Sequence, residues 1–493
     1  MARRYDNWIN GSWKVASSEG SIDRYSPAHG QWVASFAKSD AEDVDRAVSA
    51  ARAAFESRAW PDLPGSEKSA ILNKWAALIE RNRDRLAEIE AEESGKPIRY
   101  ARGEVAWAAE MARFAAALAW HLKGEAFTNL GDDKLGLVTR EPRGVVGMIV
   151  PWNFPLVCLF QKLPFALAAG CTTVIKPSEL TAGTALEVAA LAAEAGIPAG
   201  VINVVTGSGR VVGEALTAHP RVDMLSFTGS TAVGKHIARQ AADRVGRVAL
   251  ELGGKAANIV FADADIEAAL DGVLFGFLLN QGEECAGGAR LLIEERIADD
   301  FLEQLVARAK RVRVGLPLDE ATDVGALIHE QHMNTVLEYI EAGKAEGARL
   351  LVGGERLKGS VYDQGFFVGP TIFADVRPDM KIFREEIFGP VLCVTTFKTV
   401  DEAVELANDT HYGLANGLWS KDIDKVHQVS RRLKSGTVYV NTYLETAMQM
   451  PFGGYKESGL GRELGLDALH EYTEVKSTFI KLGARTPALP HTV

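Results

Sequence analysis

Short apolar segments alternate with longer alanine-rich segments through the middle of the chain. The apolar segments are typical of strands, and they cover residues 144–150, 172–175, 201–205, 222–227 and 248–250. The segments between them are typical of helices, over residues 155–169, 182–195, 209–218 and 231–242. Strands that are separated by single helices cannot pair as hairpins, so the pattern predicts a parallel sheet with right-handed crossovers. We therefore expect an α/β fold with a doubly wound parallel sheet.

The segments on either side of this sheet extend the α/β architecture. Residues 40–120 carry apolar side chains at helical spacing and predict helices, with a break at the turn residues 60–65. A second alternating stretch over residues 256–440 predicts another α/β domain. The sequence has no internal repeat and no long linker, which indicates domains that pack against one another.

Length and charge narrow the class of protein. The chain has 493 residues, which at roughly 150 residues per domain predicts about three structural units. Its 54 Lys and Arg residues against 65 Asp and Glu residues give a net charge of −11 without a basic stripe, so nucleic acid is not an expected partner. Since it has neither a run of about 18 apolar residues nor a secretory signal, we expect no membrane partner.

The cysteines indicate a reducing compartment. Four of them, Cys158, Cys171, Cys285 and Cys393, are too few and too dispersed for a disulfide framework or a zinc cluster. We therefore expect a cytoplasmic protein without a bound metal. Cys158, Cys171 and Cys393 lie in apolar segments typical of unreactive core thiols.

Three motifs that resemble known ligand sites are incomplete. Residues 229–236 match a phosphate-binding P-loop until His236, which replaces the Ser or Thr that would hold magnesium. Residues 207–212 lack the third glycine of the dinucleotide fingerprint. His329 and His332 are too closely spaced for the zinc-protease helix pattern. The sequence therefore favours neither a nucleoside triphosphatase nor a metalloprotease.

Three chemically complementary groups lie near predicted strands. Asn153 supplies a side-chain amide after the first strand, and Glu251 supplies a carboxylate beside two glycines after the fifth. Cys285 lies among small residues just before the apolar segment 291–293. Ligands of parallel sheets bind beyond the carboxyl ends of the strands. A thiol, a general base and an oxyanion donor are the groups that acyl chemistry through a thioester requires.

Together with several other segments, these residues resemble the NAD(P)-dependent aldehyde dehydrogenase superfamily, in its hydrolytic, non-acylating branch. The segments that carry the resemblance, in this order, are 151–155, 176–179, 227–230, 251–255, Cys285, 385–390 and 451–456. The resemblance covers nearly the whole chain. It implies an aldehyde dehydrogenase-like fold with a doubly wound cofactor domain, a second α/β catalytic domain and a small β oligomerisation element.

The resemblance implies a role for each catalytic candidate. Cys285 would attack the aldehyde, and Asn153 with the backbone N–H of Cys285 would bind the resulting oxyanion. Glu251 would activate the hydrolytic water. Because relatives that transfer the acyl group to coenzyme A generally lack this glutamate, a free acid is the expected product. Lys162 and Glu463 lie where the family has a proton-conducting pair.

The resemblance also implies a nicotinamide dinucleotide site. Ser230 would contact a phosphate, Lys176 and Glu179 the adenosine ribose, and Glu386 and Phe388 the nicotinamide half. The full predicted set is Ile149, Trp152, Lys176, Ser178, Glu179, Gly209, Phe227, Gly229, Ser230, Val233, Leu252, Glu386 and Phe388. Because the Glu179 carboxylate binds ribose hydroxyls and repels an added phosphate, we expect NAD, with NADP at lower affinity.

The aldehyde tunnel is the region in which this sequence departs from many relatives. Its predicted lining is Phe154, Cys158, Gln161, Glu284, Glu445, Thr446 and Phe452. Gln161 and Thr446 replace aromatic residues of many relatives, and Glu284 and Glu445 add negative charge. If it points into the tunnel, Glu284 would also raise the pKa of the Cys285 thiol. These departures predict a polar or cationic aldehyde, such as an aminoaldehyde.

The resemblance also sets the expected domain boundaries. These are residues 1–123 and 143–253 for the NAD-binding domain, 254–469 for the catalytic domain, and 124–142 with 470–493 for the oligomerisation element. Within the last, residues 127–142 and 472–482 are predicted strands that pair with another subunit. Because exposed edge strands are rarely left unpaired, we expect a homodimer or homotetramer.

Two other functions are compatible with the same residues. One is a non-catalytic relative that only binds a dinucleotide, which the complete set of Asn153, Glu251 and Cys285 disfavours. The other is a thiol esterase that uses these groups without NAD. No Cys-His pairing signature accompanies Cys285, and Lys176 and Glu179 would then have no purpose.

Overall fold

The computed structural model describes residues 3–484, and its N-terminal part is a set of short strands followed by long helices. The strands are β1 (Arg3–Tyr5), β2 (Asn7–Ile9), β3 (Ser12–Lys14), β4 (Ser21–Tyr25) and β5 (Trp32–Ala37). The helices are α1 (Ala41–Glu56), α2 (Gly65–Arg81), α3 (Arg83–Ser94) and α4 (Ile98–Leu118). Helix α1 begins at a capping box, in which the Asp40 carboxylate accepts from the Asp43 N–H. The predicted break at 60–65 falls between α1 and α2.

The doubly wound region follows a pair of strands, β6 (Glu125–Phe127) and β7 (Lys134–Pro142). Its strands are β8 (Val145–Ile149), β9 (Thr172–Lys176), β10 (Ile202–Val204), β11 (Met224–Thr228) and β12 (Arg247–Glu251). Its helices are α5 (Pro155–Phe160), α6 (Leu163–Ala169), α7 (Gly183–Ala195), α8 (Glu214–Ala218) and α9 (Thr231–Ala242), with a π-helical turn at Gly209–Gly213. The five strands pair in parallel, which confirms the predicted sheet.

One predicted helix in this region is divided in two. Residues 155–169 form α5 and α6, with the break at Gln161 and Lys162. Pro164 has no N–H to donate to the preceding turn, so an unbroken helix would lose a hydrogen bond there. The prediction of one continuous helix was therefore wrong, and the break places Lys162 at the start of α6.

The second alternating stretch forms a separate sheet. Its strands are β13 (Ala257–Val260), β14 (Arg290–Glu294), β15 (Arg349–Val352), β16 (Thr371–Ala374), β17 (Val391–Phe397), β18 (Ala415–Trp419) and β19 (Thr437–Val440). Its helices are α10 (Ile266–Leu278), α11 (Ala298–Ala309), α12 (Glu330–Ala345), α13 (Lys381–Arg384), α14 (Val400–Asn408) and α15 (Ile423–Ser430). The C-terminal part adds β20 (Gly459–Leu460), α16 (Gly465–Glu471) and β21 (Thr473–Lys481).

Two large sheets and two small ones organise the described chain. The eight-stranded sheet has the order β20-β12-β11-β8-β9-β10-β2-β3, and the seven-stranded sheet has the order β15-β16-β17-β14-β13-β18-β19. The small sheets are β1-β5-β4 and β21-β7-β6. Apolar cores cover both faces of the larger sheet, since the neighbouring residues Val145 and Val146 of β8 belong to different core clusters. This is the architecture expected of a doubly wound α/β fold.

Strands β7 and β21 pair antiparallel along their full nine-residue lengths, from Thr473 opposite Pro142 to Lys481 opposite Lys134. Both strands lie within the segments for which strands were predicted. The part of the predicted oligomerisation element beyond residue 484 lies outside the described residues. Between residues 3 and 484, no helix combines the length and the apolar character needed to cross a membrane.

Candidate active site

Cys285 lies in a tightly held loop between α10 and β14. The loop begins with a 3-10 turn in which Asn280 and Gln281 have φ values of 52° and 60°, a left-handed conformation that is rare for these residues. Gly254, which follows β12, packs directly under the loop. A Cβ at Gly254 would lie 2.2 Å from the carbonyl oxygen of Cys285, so only glycine permits this approach. The two large sheets therefore meet at the candidate nucleophile.

Asn153 is tied to the same loop by hydrogen bonds. Its Nδ2 donates to the carbonyl oxygen of Glu283 at 3.0 Å. In return, Nδ2 of Asn280 donates to the carbonyl oxygens of Asn153 at 2.9 Å and of Glu283 at 3.2 Å. These contacts fix the Asn153 amide beside the Cys285 loop and leave its second N–H free for a ligand.

Glu251 lies at the carboxyl end of β12, and its side chain is buried. It is 5% exposed, and within residues 3–484 neither of its carboxylate oxygens has a hydrogen-bond partner. Burial raises the pKa of Glu251 to about 8, opposed by the positive charges of Lys162 and Arg462. An unpartnered carboxylate with this pKa is suited to accept a proton near neutral pH.

Lys162 and Glu463 form a buried ion pair close to Glu251. The Lys162 ammonium contacts the Glu463 carboxylate, and both side chains are at most 5% exposed. Burial lowers the pKa of Lys162 to about 8, and the Glu251 carboxylate opposes that shift. Glu463 is held by a backbone bridge to Phe452, in which each N–H donates to the other carbonyl oxygen at 2.7 Å. The pair therefore lies close to Glu251 and is shielded from bulk water.

The Cys285 thiol has the Glu284 carboxylate as a close neighbour. Its Sγ donates to Oε1 of Glu284 at 3.5 Å, and the same oxygen accepts from the backbone N–H of Ala286 at 3.0 Å. Burial raises the pKa of Cys285 well above its usual value, and the Glu284 charge adds to the shift. Most Cys285 side chains are therefore protonated at neutral pH.

Cys285 opens into a cavity of about 350 Å³. The predicted lining residues Phe154, Cys158, Gln161, Glu284, Thr446 and Phe452 all lie in its wall. Four of the remaining residues are aromatic. The residues that sequence reasoning missed are Arg99, Tyr100, Gly103, Glu104, Trp107, Val157, Phe275, Leu279, Ala286, Tyr439 and Leu444. Helix α4 supplies five of them, and its position more than 150 residues before Cys285 gave no signal of this contact.

The prediction for Glu445 was wrong. Its side chain is exposed and lies outside the described cavity wall, whereas Leu444 and Thr446 on either side of it line the cavity. Leu444 has a φ of 60°, so the loop turns sharply at this point. The turn directs the flanking residues inward and leaves the Glu445 carboxylate hydrated, which avoids the cost of burying its charge.

Several of the predicted cofactor residues lie at the carboxyl edge of the eight-stranded sheet. At the end of β9, the Lys176 ammonium lies 2.9 Å from the Glu179 carboxylate, whose side chain is one-third exposed. Ser230 caps α9, and its Oγ accepts from the Val233 N–H at 3.4 Å. Such a helix N-terminus binds phosphate through its free N–H groups, so these residues fit a dinucleotide.

The nicotinamide end of the predicted site adjoins the nucleophile loop. Glu386 accepts from the Gly254 N–H at 2.9 Å, and burial raises the pKa of Glu386 to about 7. The Trp152 ring packs edge-on against Phe388, with 5.5 Å between the ring centroids. Ile149 and Ser178 lie at the same sheet edge, Gly209 and Val233 are exposed beside it, and Gly229 follows β11. The side chains of Phe227 and Leu252 are buried in the core beneath α9.

Comparison with known proteins gives a uniform result. Residues 13–478 match the model of the aldehyde dehydrogenase family. The chain is 44% identical to a betaine aldehyde dehydrogenase of Bacillus subtilis over 472 residues, which is 96% of each chain.

Solved structures agree with this match. A crystal structure of an NAD-dependent aldehyde dehydrogenase from Sinorhizobium meliloti superposes with a TM-score of 0.97 at 47% identity, over 98% of this chain and 96% of that one. An indole-3-acetaldehyde dehydrogenase of P. syringae in complex with NAD+ and IAA gives 0.95 at 46% identity, over 97% and 96% of the two chains. This chain therefore belongs to the aldehyde dehydrogenase family.

Proposed function

We propose that this aldehyde dehydrogenase oxidises its substrate to the carboxylic acid with NAD, through a thioester on Cys285 that water hydrolyses. One observation carries the proposal: the Asn153 amide is hydrogen-bonded to the loop that carries Cys285, and within residues 3–484 the buried carboxylate of Glu251, at the carboxyl end of β12, has no hydrogen-bond partner. A thiol esterase would need the same three groups. It would not need the Lys176–Glu179 pair or Glu386 at the adjoining sheet edge.

Each protein group has a defined task in this reaction. The Cys285 sulfur attacks the aldehyde carbon, and the Asn153 amide and the Cys285 backbone N–H stabilise the oxyanion by about 3 kcal/mol per donor. A nicotinamide ring held beside Glu386 and Phe388 would supply the acceptor for the hydride that leaves the substrate carbon. Glu251 then removes a proton from the water that cleaves the thioester. The Lys162–Glu463 pair would carry that proton away from Glu251.

The cavity wall supports a substrate that carries a positive charge. Six aromatic rings surround it, and aromatic faces attract cations by about 0.5–2 kcal/mol. The Glu104 and Glu284 carboxylates add negative charge. Lys96 pairs with Glu104 and reduces its effect, and Arg99 also lines the cavity, so Glu284 is the main anionic group available to the substrate. An uncharged aromatic aldehyde is the second candidate, because the apolar wall fits its ring equally well.

A panel of aldehydes tests the proposed function and the substrate class together. We expect reduced nicotinamide to form with NAD, and an ω-aminoaldehyde to have a KM about tenfold below that of the uncharged aldehyde of equal length, since 1.4 kcal/mol is gained. Equal KM values for the matched pair would contradict the cationic substrate. A non-catalytic protein or an esterase would form no reduced nicotinamide with any aldehyde.

Glu179 is proposed to select NAD over NADP. Its carboxylate is held at 2.9 Å by Lys176 on the face assigned to the adenosine ribose, where it repels a 2′-phosphate. We expect Glu179→Gln to raise kcat/KM for NADP relative to NAD by about tenfold, because the repulsion is removed and Lys176 is released to bind the phosphate. Steady-state kinetics with both cofactors measure this ratio, with Glu303→Gln, an exposed carboxylate on α11, as the control. An unchanged ratio would assign the selection to other residues.

Self-association is proposed for the small sheet β21-β7-β6. Strand β21 is exposed over most of its length, and Val475 and Phe479 are 58% and 67% exposed. Phe127 of β6 is 41% exposed. A three-stranded sheet with exposed apolar side chains is typical of a surface that a second copy covers, which supports a homodimer or homotetramer.

A further inference from the structure

We propose that Glu284 is a second catalytic carboxylate, which accepts the proton of the Cys285 thiol as the sulfur attacks the aldehyde. The inference rests on the proposed function, because it assumes that Cys285 is the nucleophile. It goes further by dividing the proton transfers between two carboxylates. Glu284 would serve the attack of the thiol, and Glu251 would serve the attack of water.

The contact between the two side chains is direct. Oε1 of Glu284 accepts from Sγ of Cys285 at 3.5 Å, which is within the range of a hydrogen bond to sulfur. Among residues 3–484, neither carboxylate oxygen of Glu251 accepts a hydrogen bond, so Glu251 is not hydrogen-bonded to the thiol. In this conformation the proton of Cys285 therefore has Glu284 as its acceptor.

The Glu284 carboxylate is held in place rather than free to rotate away. The backbone N–H of Ala286 donates to the same Oε1 at 3.0 Å, so this oxygen is anchored between the thiol and the backbone. The side chain is half-buried and lines the aldehyde cavity with Cys285. A fixed base at the reacting atom avoids the cost of reorganising the site during proton transfer.

The charged surroundings favour a carboxylate that can hold a proton. Burial raises the pKa of Glu284, and the Lys96 ammonium opposes the shift. The titratable groups that face it are Lys96, Cys158, Cys285, Glu386, Tyr439 and Tyr443. Lys96 is the only cation of this group, and it is already paired with Glu90 and Glu104. Burial therefore raises the proton affinity of Glu284 above its value in water, while that of the Cys285 thiol is raised too.

The proton of the thiol and the electron pairs move together in this step. The S–H bond of Cys285 breaks and its proton bonds to Oε1 of Glu284, while the sulfur electron pair forms the S–C bond. The carbonyl π pair moves onto the substrate oxygen, where the Asn153 amide binds it. When water later cleaves the thioester, the departing Cys285 sulfur takes the proton back from Glu284, and both groups return to their starting states.

A proton-accepting Glu284 and a purely electrostatic Glu284 predict opposite effects of Glu284→Gln on the reaction rate of Cys285. If Glu284 only opposed ionisation of the thiol, Glu284→Gln would lower the pKa of Cys285 and speed its reactions at every pH. If Glu284 accepts the proton, the variant loses its base while burial still keeps the pKa of Cys285 high. Its reactions then become slower at neutral pH and recover only as hydroxide becomes available.

The test measures Cys285 in the full-length enzyme. Iodoacetamide alkylation of the Cys285 peptide is followed by mass spectrometry from pH 6 to pH 10, beside the pre-steady-state burst of reduced nicotinamide. At pH 7 we expect Glu284→Gln to slow both the alkylation of Cys285 and the burst of reduced nicotinamide by roughly a hundredfold, and we expect both rates to recover toward pH 10. Glu284→Asp keeps the charge but is shorter by one methylene, so it is expected to be slow at pH 7 too. Glu303→Gln is the matched control.

The outcomes separate the inference from the proposed function. Alkylation of Glu284→Gln at or above the wild-type rate at pH 7, or wild-type behaviour of Glu284→Asp, would overturn the role of Glu284 as proton acceptor. Turnover in a Cys285→Ala variant would instead overturn the proposed function itself. Recovery of Glu284→Gln at high pH shows at the same time that the variant is folded.

Discussion

Replacing Cys285 by alanine is expected to abolish aldehyde oxidation, with kcat reduced at least about 10³-fold, because the thiol that carries the acyl group is removed. Cys158, the other thiol of the cavity wall, is buried, and burial raises its pKa to about 12. The Cys285 side chain is half-buried in a loop whose backbone contacts do not depend on sulfur, so the fold and NAD binding are expected to persist. Reduced nicotinamide absorbance measures the loss, and fluorescence titration with NAD measures the retained binding.

The matched control for that variant is Cys393→Ala. Cys393 is a buried core thiol in β17 whose Sγ donates to the Ile382 carbonyl oxygen, away from the cavity that holds Cys285. We expect this variant to keep most of its activity. Turnover by Cys285→Ala at the rate of the control would mean that the reaction does not use a thiol.

Glu251→Gln is expected to stop the reaction after one chemical cycle. The amide cannot take a proton from water, so hydrolysis of the thioester should slow by about 10²–10⁴-fold. Attack by Cys285 does not require Glu251 in this account, so one equivalent of reduced nicotinamide should still form in a burst. Stopped-flow absorbance resolves the burst from the steady state, with Glu303→Gln as the control.

The pH dependence of the wild-type enzyme tests the same assignment. Burial raises the pKa of Glu251 to about 8, so the carboxyl group is protonated below this pH and serves as a base above it. Steady-state turnover limited by hydrolysis should therefore rise with pH through about 8. Loss of the burst itself in Glu251→Gln would show that Glu251 acts on the thiol instead.

The regular parts of the fold could be predicted from the sequence because they depend on local patterns. Strands β8 to β12 lie within or beside the predicted apolar segments, since a buried parallel strand requires a short apolar run. The division between α5 and α6 was missed because Pro164 lies in an otherwise helical pattern. A proline in such a run signals a break, and that signal was available.

The arrangement of the candidate site could be predicted only in part from the sequence. Asn153, Glu251 and Cys285 could be selected from strand ends and resemblance, but the hydrogen bond that links Asn153 to the Glu283 carbonyl depends on tertiary packing. The contribution of α4 to the cavity depends on it too, because Tyr100 and Trp107 are far from Cys285 along the chain. Glu445 was misplaced since a loop's side-chain directions follow its backbone turns, which its composition does not reveal.

For Glu284, the effect on the thiol could be predicted from the sequence, but the placement of its carboxylate could not. Its position beside Cys285 predicted an effect on the pKa of the thiol, and the structure gives the Glu284 charge as one cause of the raised pKa. The anchoring of its Oε1 by the Ala286 N–H could not be foreseen, because it depends on the loop conformation. That contact is what distinguishes a placed proton acceptor from a nearby charge.

The most direct test of the thioester is to trap it. Glu251→Gln is mixed with aldehyde and NAD, quenched in acid after the burst, and digested for mass spectrometry. The account predicts that the peptide containing Cys285 gains the mass of the acyl group, in one-to-one proportion with the reduced nicotinamide formed. A full burst with an unmodified Cys285 peptide would contradict it.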